Sequence, residues 1–247
     1  MKTENILVVG ATSAIAQAIV RLLAGEAKNI MLWGRSEQRL EAVAQDLRVR
    51  GAGRVEVRAF EIAQHEEHEE ALQETIAAFG ELDLVLIAHG SLTDQKAAEK
   101  DFQLTLQELQ INCISALSLL SAAANYFELR KRGCIVVLSS VAGDRGRQSN
   151  YIYGTAKAAL STFLQGLRHR LHASGVRVVT VKPGFVDTPM TANMSKNSLF
   201  ASPERVAADV VRGIRSGRAV IYTPWFWRLV MPIIKAIPEG IFVRTKL

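Results

Sequence analysis

The sequence predicts a single α/β domain, a doubly wound parallel sheet with helices on both faces. Three observations carry this expectation. Strand-like and helix-like segments alternate from the first residues onward, and most of the strand-like runs are nearly continuous and apolar, rich in β-branched residues. No linker, internal repeat or low-complexity stretch divides the 247 residues. Such alternation calls for right-handed βαβ crossovers, and strands covered on both faces read as near-continuous apolar runs.

Taken in order, the strand-like runs fall at residues 6–9, 30–33, 55–60, 82–88, 134–138 and 176–181, with a shorter one at 219–222. Helical patterns lie between them at 13–24, 37–50, 65–79, 101–130, 151–173 and 203–216. Residues 1–222 are thus expected to form one ligand-binding catalytic domain, and 223–247 an aromatic and basic tail extending it.

Composition narrows the class. With 49% hydrophobic and 22% charged residues, the chain can bury a large core, which argues against disorder. The net charge of +6 admits nucleic acid, an anionic cofactor or a membrane surface. The basic residues are scattered, which disfavours nucleic acid. Cys113 and Cys134 form no C-x-x-C and sit in apolar stretches, so reduced, buried thiols are expected. No signal-peptide pattern opens the sequence, and no run offers the roughly 18 apolar residues of a spanning helix. The expected location is the cytoplasm.

In doubly wound folds ligands bind beyond the carboxyl ends of the strands, so the residues after each strand matter most. After the first comes Gly10-Ala11-Thr12-Ser13-Ala14-Ile15-Ala16. Gly10 permits a tight turn, and Thr12, Ser13, Ala14 and Ile15 then open a helix whose N–H groups suit a pyrophosphate. An ordinary strand-to-helix turn is the alternative. The second strand ends in Trp33-Gly34-Arg35-Ser36, with no carboxylate before Glu37. An acidic residue there would select an adenosine 2′-hydroxyl, whereas Arg35 can pair with a 2′-phosphate, which favours NADP(H). A solvated arginine at a helix start is the plainer reading.

Tyr153 and Lys157 stand four apart, one helical turn on the same face. An ammonium beside the phenol favours the phenolate and moves Tyr153 toward useful acid–base chemistry. Ser140, just beyond the 134–138 strand, offers a hydroxyl to a substrate carbonyl oxygen. After the 176–181 strand, Pro183, Gly184, Val186 and Thr188 make a rigid turn whose backbone and hydroxyl can hold a nicotinamide carboxamide and phosphates.

The succession of the Gly10 loop, Asn112, Ser140, Tyr153, Lys157 and Pro183-Gly184 resembles the short-chain dehydrogenase/reductase family over roughly the first 220 residues. The resemblance implies a Rossmann-type oxidoreductase moving a hydride between a nicotinamide cofactor and a ketone or secondary alcohol. It makes the tyrosine the general acid or base, the lysine its tuner and ribose ligand, and the serine the oxygen binder. Asn112 would hold a proton-relay water from a helix distortion. Three departures stand out. Ala14 and Ala16 replace glycines of T-G-x-x-x-G-x-G. Ile87-Ala88-His89-Gly90 stands where N-N-A-G is usual, keeping Gly90 but losing both asparagines, with His89 and Gly90 as cofactor contacts. Glu61-Ile62 stands where an aspartate touches adenine. The family commonly pairs through the helices that here span 101–130 and 151–173, which implies a homodimer or homotetramer.

His89 reads as a packing or ribose contact, because Tyr153 already fills the proton-transfer role. His65 and His68 among glutamates lack H-E-x-x-H spacing and read as a solvated helix face; His169 and His172 likewise, so no metal is expected. The tail, with Trp225, Phe226, Trp227, prolines at 224, 232 and 238, and Arg244 and Lys246, either packs on the domain or lies at the inner face of a membrane. With Ala88-His89-Gly90 and Asp187-Thr188-Pro189-Met190, it is similar to reductases of the decaprenylphosphoryl 2-keto-ribose type, which act on a keto sugar carried by a polyprenyl phosphate. That implies a hydrophobic or lipid-linked ketone; a keto-acyl, sphingoid or steroid ketone suits the same pattern. A catalytically silent nucleotide sensor is the alternative from another class.

Overall fold

Strands β1 (Asn5–Val9), β4 (Leu84–Ile87) and β5 (Cys134–Leu138) are buried at every residue, as unbroken apolar runs require. They occupy the middle of a parallel sheet in the computed structural model, which describes residues 3–245. The tail cation Lys246 lies outside the described residues. Outward from the centre lie β2 (Asn29–Gly34) and β3 (Arg54–Ala59) on one side, β6 (Arg177–Pro183) and β7 (Val220–Thr223) on the other. Among the described residues the order is β3-β2-β1-β4-β5-β6-β7, all parallel. The edge strand β3 carries Arg54, Glu56 and Arg58, charges that discourage pairing with another chain.

The helices run in chain order α1 (Ala14–Leu23), α2 (Glu37–Val49), α3 (His68–Phe79), α4 (Gln95–Ala98), α5 (Phe102–Leu109), α6 (Ser115–Arg130), α7 (Tyr151–His172), α8 (Pro203–Arg215), α9 (Trp227–Ala236) and α10 (Glu239–Phe242). One core lies between the sheet and α1, α2 and α8, and a second between the sheet and α3, α6 and α7. Both faces are covered, so the doubly wound α/β class is the fold.

Two expectations need correction. The helix expected at 101–130 is two helices, α5 and α6, joined by a π-helical turn at Gln110–Ile114 that holds Asn112. His68 is not on a solvated face. It is 1% exposed, with Nε2 2.9 Å from the Ile62 carbonyl and Nδ1 3.1 Å from Ser118 Oγ of α6. Because α3 starts at His68, this residue falls on the inward side, where burial lowers its pKa. In the tail, one face of α9 packs on the domain. Trp227 and Met231 of α9 are buried against Val141, while Trp225, Leu229 and Ile233 stand exposed. Cys113 and Cys134 are unpaired and buried, and burial pushes the Cys134 thiol up to about 11.

Candidate active site

Register places Val9 level with Trp33 on one side and Ile87 on the other. The chains leaving β1, β2 and β4 therefore emerge side by side where the strand order reverses, and a crevice forms there. A cavity of about 340 Å³ runs along it. Gly10 sits at its floor with φ +77, and a Cβ there would stand 2.5 Å from His89 N. Both the backbone angle and the close approach exclude a side chain. Thr12, Ser13, Ala14 and Ile15 line the cavity, and the Ser13 hydroxyl makes no bond to the helix it precedes. The two alanines that replace family glycines part ways here. Ala14 faces the cavity, whereas Ala16 is fully buried in the core under α1, so only one added methyl borders the site.

Arg35, Glu61 and Ile62 line one end of the cavity. Arg35 is exposed and pairs with no carboxylate among the described residues, while Glu61 accepts from the Ala63 N–H at 3.2 Å. His89 and Gly90 line the middle. The Ser115 hydroxyl donates to the Ile111 carbonyl at 2.8 Å, so His89 Nε2, 2.8 Å from Ser115 Oγ, is the protonated nitrogen. His89 Nδ1 is then a buried acceptor with no partner. Burial first, and the Lys157 charge second, hold this imidazole neutral with a pKa of about 3. An orphaned acceptor beside a glycine-floored turn fits a dinucleotide, whose ribose hydroxyls and phosphates need those two features.

At the other end, Asn112, Ser140, Tyr153 and Lys157 line the same cavity. Two glycines let the Ser140 turn lie directly on α7. A Cβ on Gly143 would meet the Lys157 carbonyl carbon at 2.6 Å, and one on Gly154 the Ala142 oxygen at 2.9 Å. Ser139 locks the same junction, its hydroxyl 3.2 Å from the Lys157 carbonyl oxygen and 2.7 Å from Ser161 Oγ. Ser140 Oγ accepts from Ala142 N at 3.1 Å, which leaves its own proton free, and its side chain lines the cavity with that of Tyr153. Burial pushes the Tyr153 phenol well above its usual range, and the Ser140 hydroxyl opposes that rise. Lys157 is itself pulled down to about 8, chiefly by burial, with Glu108 opposing. Its Nζ donates to the Leu138 carbonyl at 3.2 Å and lies 5.6 Å from the Tyr153 ring centre.

Sequence reasoning missed three residues around this centre. Glu108, 2% exposed, accepts from Asn112 Nδ2 at 2.9 Å, Ser91 Oγ at 2.8 Å and Thr93 N at 3.2 Å. The spacing of Glu108 and Asn112, one turn apart, was the available signal. Arg147 and Asn150, between Ser140 and Tyr153, also line the cavity. Pro183, Gly184, Val186 and Thr188 form the remaining wall. Gly184 is indispensable there, since a Cβ would meet Trp227 Nε1 of α9 at 1.9 Å. Behind this wall Lys182 and Asp144 form a buried ion pair, with Tyr222 donating to Asp144 at 2.8 Å. All the predicted site residues therefore border one cavity.

Comparison with known proteins agrees with this architecture. Residues 4–199 match the short chain dehydrogenase family. An uncharacterized oxidoreductase of Mycobacterium tuberculosis is 34% identical over 239 residues, covering 97% of this chain and 96% of the relative. One from Streptomyces coelicolor is 37% identical over 246 residues, covering 98% and 95%. Two solved structures share the fold. An actinorhodin polyketide ketoreductase variant with NADPH has a TM-score of 0.80 at 21% identity, covering 92% of this chain and 98% of that one. A short chain dehydrogenase from Burkholderia cenocepacia in complex with NADP has 0.83 at 20%, covering 99% and 98%. With the family match spanning most of the chain and relatives aligned nearly end to end, this protein belongs to the short-chain dehydrogenase/reductase family of oxidoreductases.

Proposed function

We propose that the chain is an NADP(H)-dependent carbonyl reductase acting on a hydrophobic or lipid-linked ketone. The observation that carries this reading is the Ser140–Tyr153 hydroxyl pair set beside Lys157 in the dinucleotide cleft. Bound NADPH supplies the hydride. Ser140 and Tyr153 converge on the carbonyl oxygen, and a phenol held protonated by burial is suited to give its proton to a developing alkoxide. Lys157 holds ribose hydroxyls and shares positive charge with that oxygen, and Asn112, fixed by Glu108, holds the proton-supply water.

Preference for the phosphorylated cofactor is supported by unpaired Arg35 at the cleft end and by the two neighbours' own NADPH and NADP complexes. An apolar substrate is supported by Leu92, Phe185, Met190 and Met194 among the residues lining the cavity. A homodimer or homotetramer through α5, α6 and α7 is supported by exposed Phe102, Leu106, Ile114 and Tyr151. Peripheral contact with an acidic membrane surface is supported by exposed Trp225, Leu229 and Ile233 beside exposed Arg228 and Lys235. Among the described residues no helix is long and apolar enough to cross a membrane.

The test is initial-rate reduction of a ketone panel with NADPH and NADH, using wild type and Arg35→Ala. The expected result is turnover with NADPH preferred, and a preference reduced about 10- to 100-fold in the variant, as loss of one charge-assisted phosphate pair implies. Equal rates with both cofactors would remove Arg35 from its role, and no turnover with any ketone would remove the reductase reading.

A further inference from the structure

Four charged side chains line the cavity: Arg35, Glu61, Lys157 and Arg147. The first three have tasks in the reading above. Arg147 has none, and its surroundings are unusual for a cation. It is half-buried, and loss of water lowers its pKa. Among the described residues its guanidinium makes no ion pair and no hydrogen bond.

The acidic group nearest in sequence, Asp144, is already engaged by Lys182 and Tyr222. Arg145, two residues away, shows the contrasting fate. It donates to the Lys235 carbonyl at 2.9 Å and to Glu239 at 2.6 Å, and lies 4.1 Å from the Phe242 ring centre. One arginine of this loop is spent on the tail, and the other borders the cleft without a counter-ion. A desolvated cation with no partner is costly unless a ligand completes it.

A second group in the same turn is also incomplete. Asn150 N donates to the Arg147 carbonyl at 3.0 Å, so the two residues share one turn immediately before α7. Asn150 Oδ1 is buried with no partner, and Asn150 lines the cavity. An unpaired cation and an unpaired amide oxygen stand between Ser140 and Tyr153 in sequence, on the loop that joins the two reacting hydroxyls. The cofactor phosphates have their own reception at Thr12–Ile15 and Arg35, on other loops.

We propose that Arg147 binds an anionic group carried by the substrate, a phosphate ester or a carboxylate close to the reacting ketone, with Asn150 Oδ1 accepting from a hydroxyl or amide donor of the same molecule. The inference rests on the reading of the cleft as a carbonyl-reductase site and narrows its substrate to anionic ketones. Guanidinium is suited to either oxyanion because its N–H groups match the two oxygens in a fork.

The experiment uses the full chain saturated with NADP⁺. Calorimetric titration compares dihydroxyacetone phosphate with dihydroxyacetone, and levulinate with its methyl ester, for wild type, Arg147→Met and Arg147→Lys. NADPH reduction of the same four ketones follows. The expected result is at least tenfold tighter binding of a charged probe than of its neutral partner. Arg147→Met should erase that difference and Arg147→Lys should keep part of it, with NADPH affinity and melting temperature near wild type. The arm that discriminates, phosphate or carboxylate, names the anion. No charge preference in wild type, a preference that survives Arg147→Met, or an equal loss of NADPH affinity in that variant would each overturn the proposal. Arg147-dependent anion binding without reduction of any ketone would sustain the anion site while removing the reductase reading. Reduction of ketones without charge preference would do the reverse.

Discussion

Glu108 Oε1 accepts a hydrogen bond from Asn112 Nδ2 at 2.9 Å, across the start of the π-helical turn that interrupts the α5–α6 helix. Asn112 Oδ1 in turn accepts from Ser91 N at 3.3 Å and would meet a Cβ on Gly90 at 2.6 Å. The carboxylate thus pins the asparagine against the loop leaving β4. Glu108→Ala leaves the Ser91 hydroxyl and the Thr93 N–H short of an acceptor, while Asn112 Nδ2 keeps the Ser91 and Glu108 carbonyls. We expect a loss of about 1–3 kcal/mol in urea unfolding, the cost of unsatisfied buried donors, and a smaller loss for Glu108→Gln. An unchanged midpoint in Glu108→Ala would mean that water replaces the carboxylate without penalty.

Lys157 gives a pH signature. Its pKa in the fold is about 8, below the ordinary 10.5, because burial outweighs the opposing charges of Glu108 and Cys113. Between those two values the unfolded chain binds a proton that the folded chain does not, so this group's contribution to stability rises with pH across the window. It is fully present above about 10.5 and lost as pH falls toward 8. Unfolding free energies of wild type and Lys157→Met, compared at pH 8 and pH 10, should show wild type gaining on the variant at the higher pH. A constant difference would mean that Lys157 keeps its full charge in the fold.

The two-faced tail makes a separate prediction. Leu229 is 59% exposed and Ile233 68%, one turn apart on α9, while Trp227 and Met231 hold the other face to the domain. Replacing both exposed residues by Asp should leave folding intact, since exposed substitutions usually change stability by about 0.5 kcal/mol or less. Sedimentation with vesicles containing acidic lipid should fall at least tenfold relative to wild type, and neutral vesicles should bind both poorly. Equal sedimentation of the two proteins would remove the membrane from the account.

Much of this was legible in the sequence, for identifiable reasons. The runs that became β1 and β5 are apolar at every position, and only a strand buried on both faces tolerates that. The Gly10 turn and the Tyr153–Lys157 pair are local, so spacing alone places them. What stayed hidden depends on contacts between distant segments. His68 looked solvated among its glutamates, yet the start of α3 turns it toward Ile62 and Ser118. Glu108 carries no motif of its own, and only the π-helical turn and the Ser91–Thr93 segment that close around it give it a role. The faces of α9 could not be told apart because both are largely apolar, and contacts with Val141, Gly184 and Phe185 decide which is buried. Arg147 carried no motif at all; its significance lies in the absence of a partner among the described residues.

The most direct test of the central claim is Tyr153→Phe, assayed for hydride transfer and for cofactor binding in parallel. In the proposed mechanism the Tyr153 hydroxyl carries the transferable proton, whereas the ring can remain in place without it. The account predicts that the variant binds NADPH within about twofold of wild type, while ketone reduction falls by about 100-fold or more, the scale of a lost general acid. Turnover at the wild-type rate in a variant that still binds NADPH would contradict it.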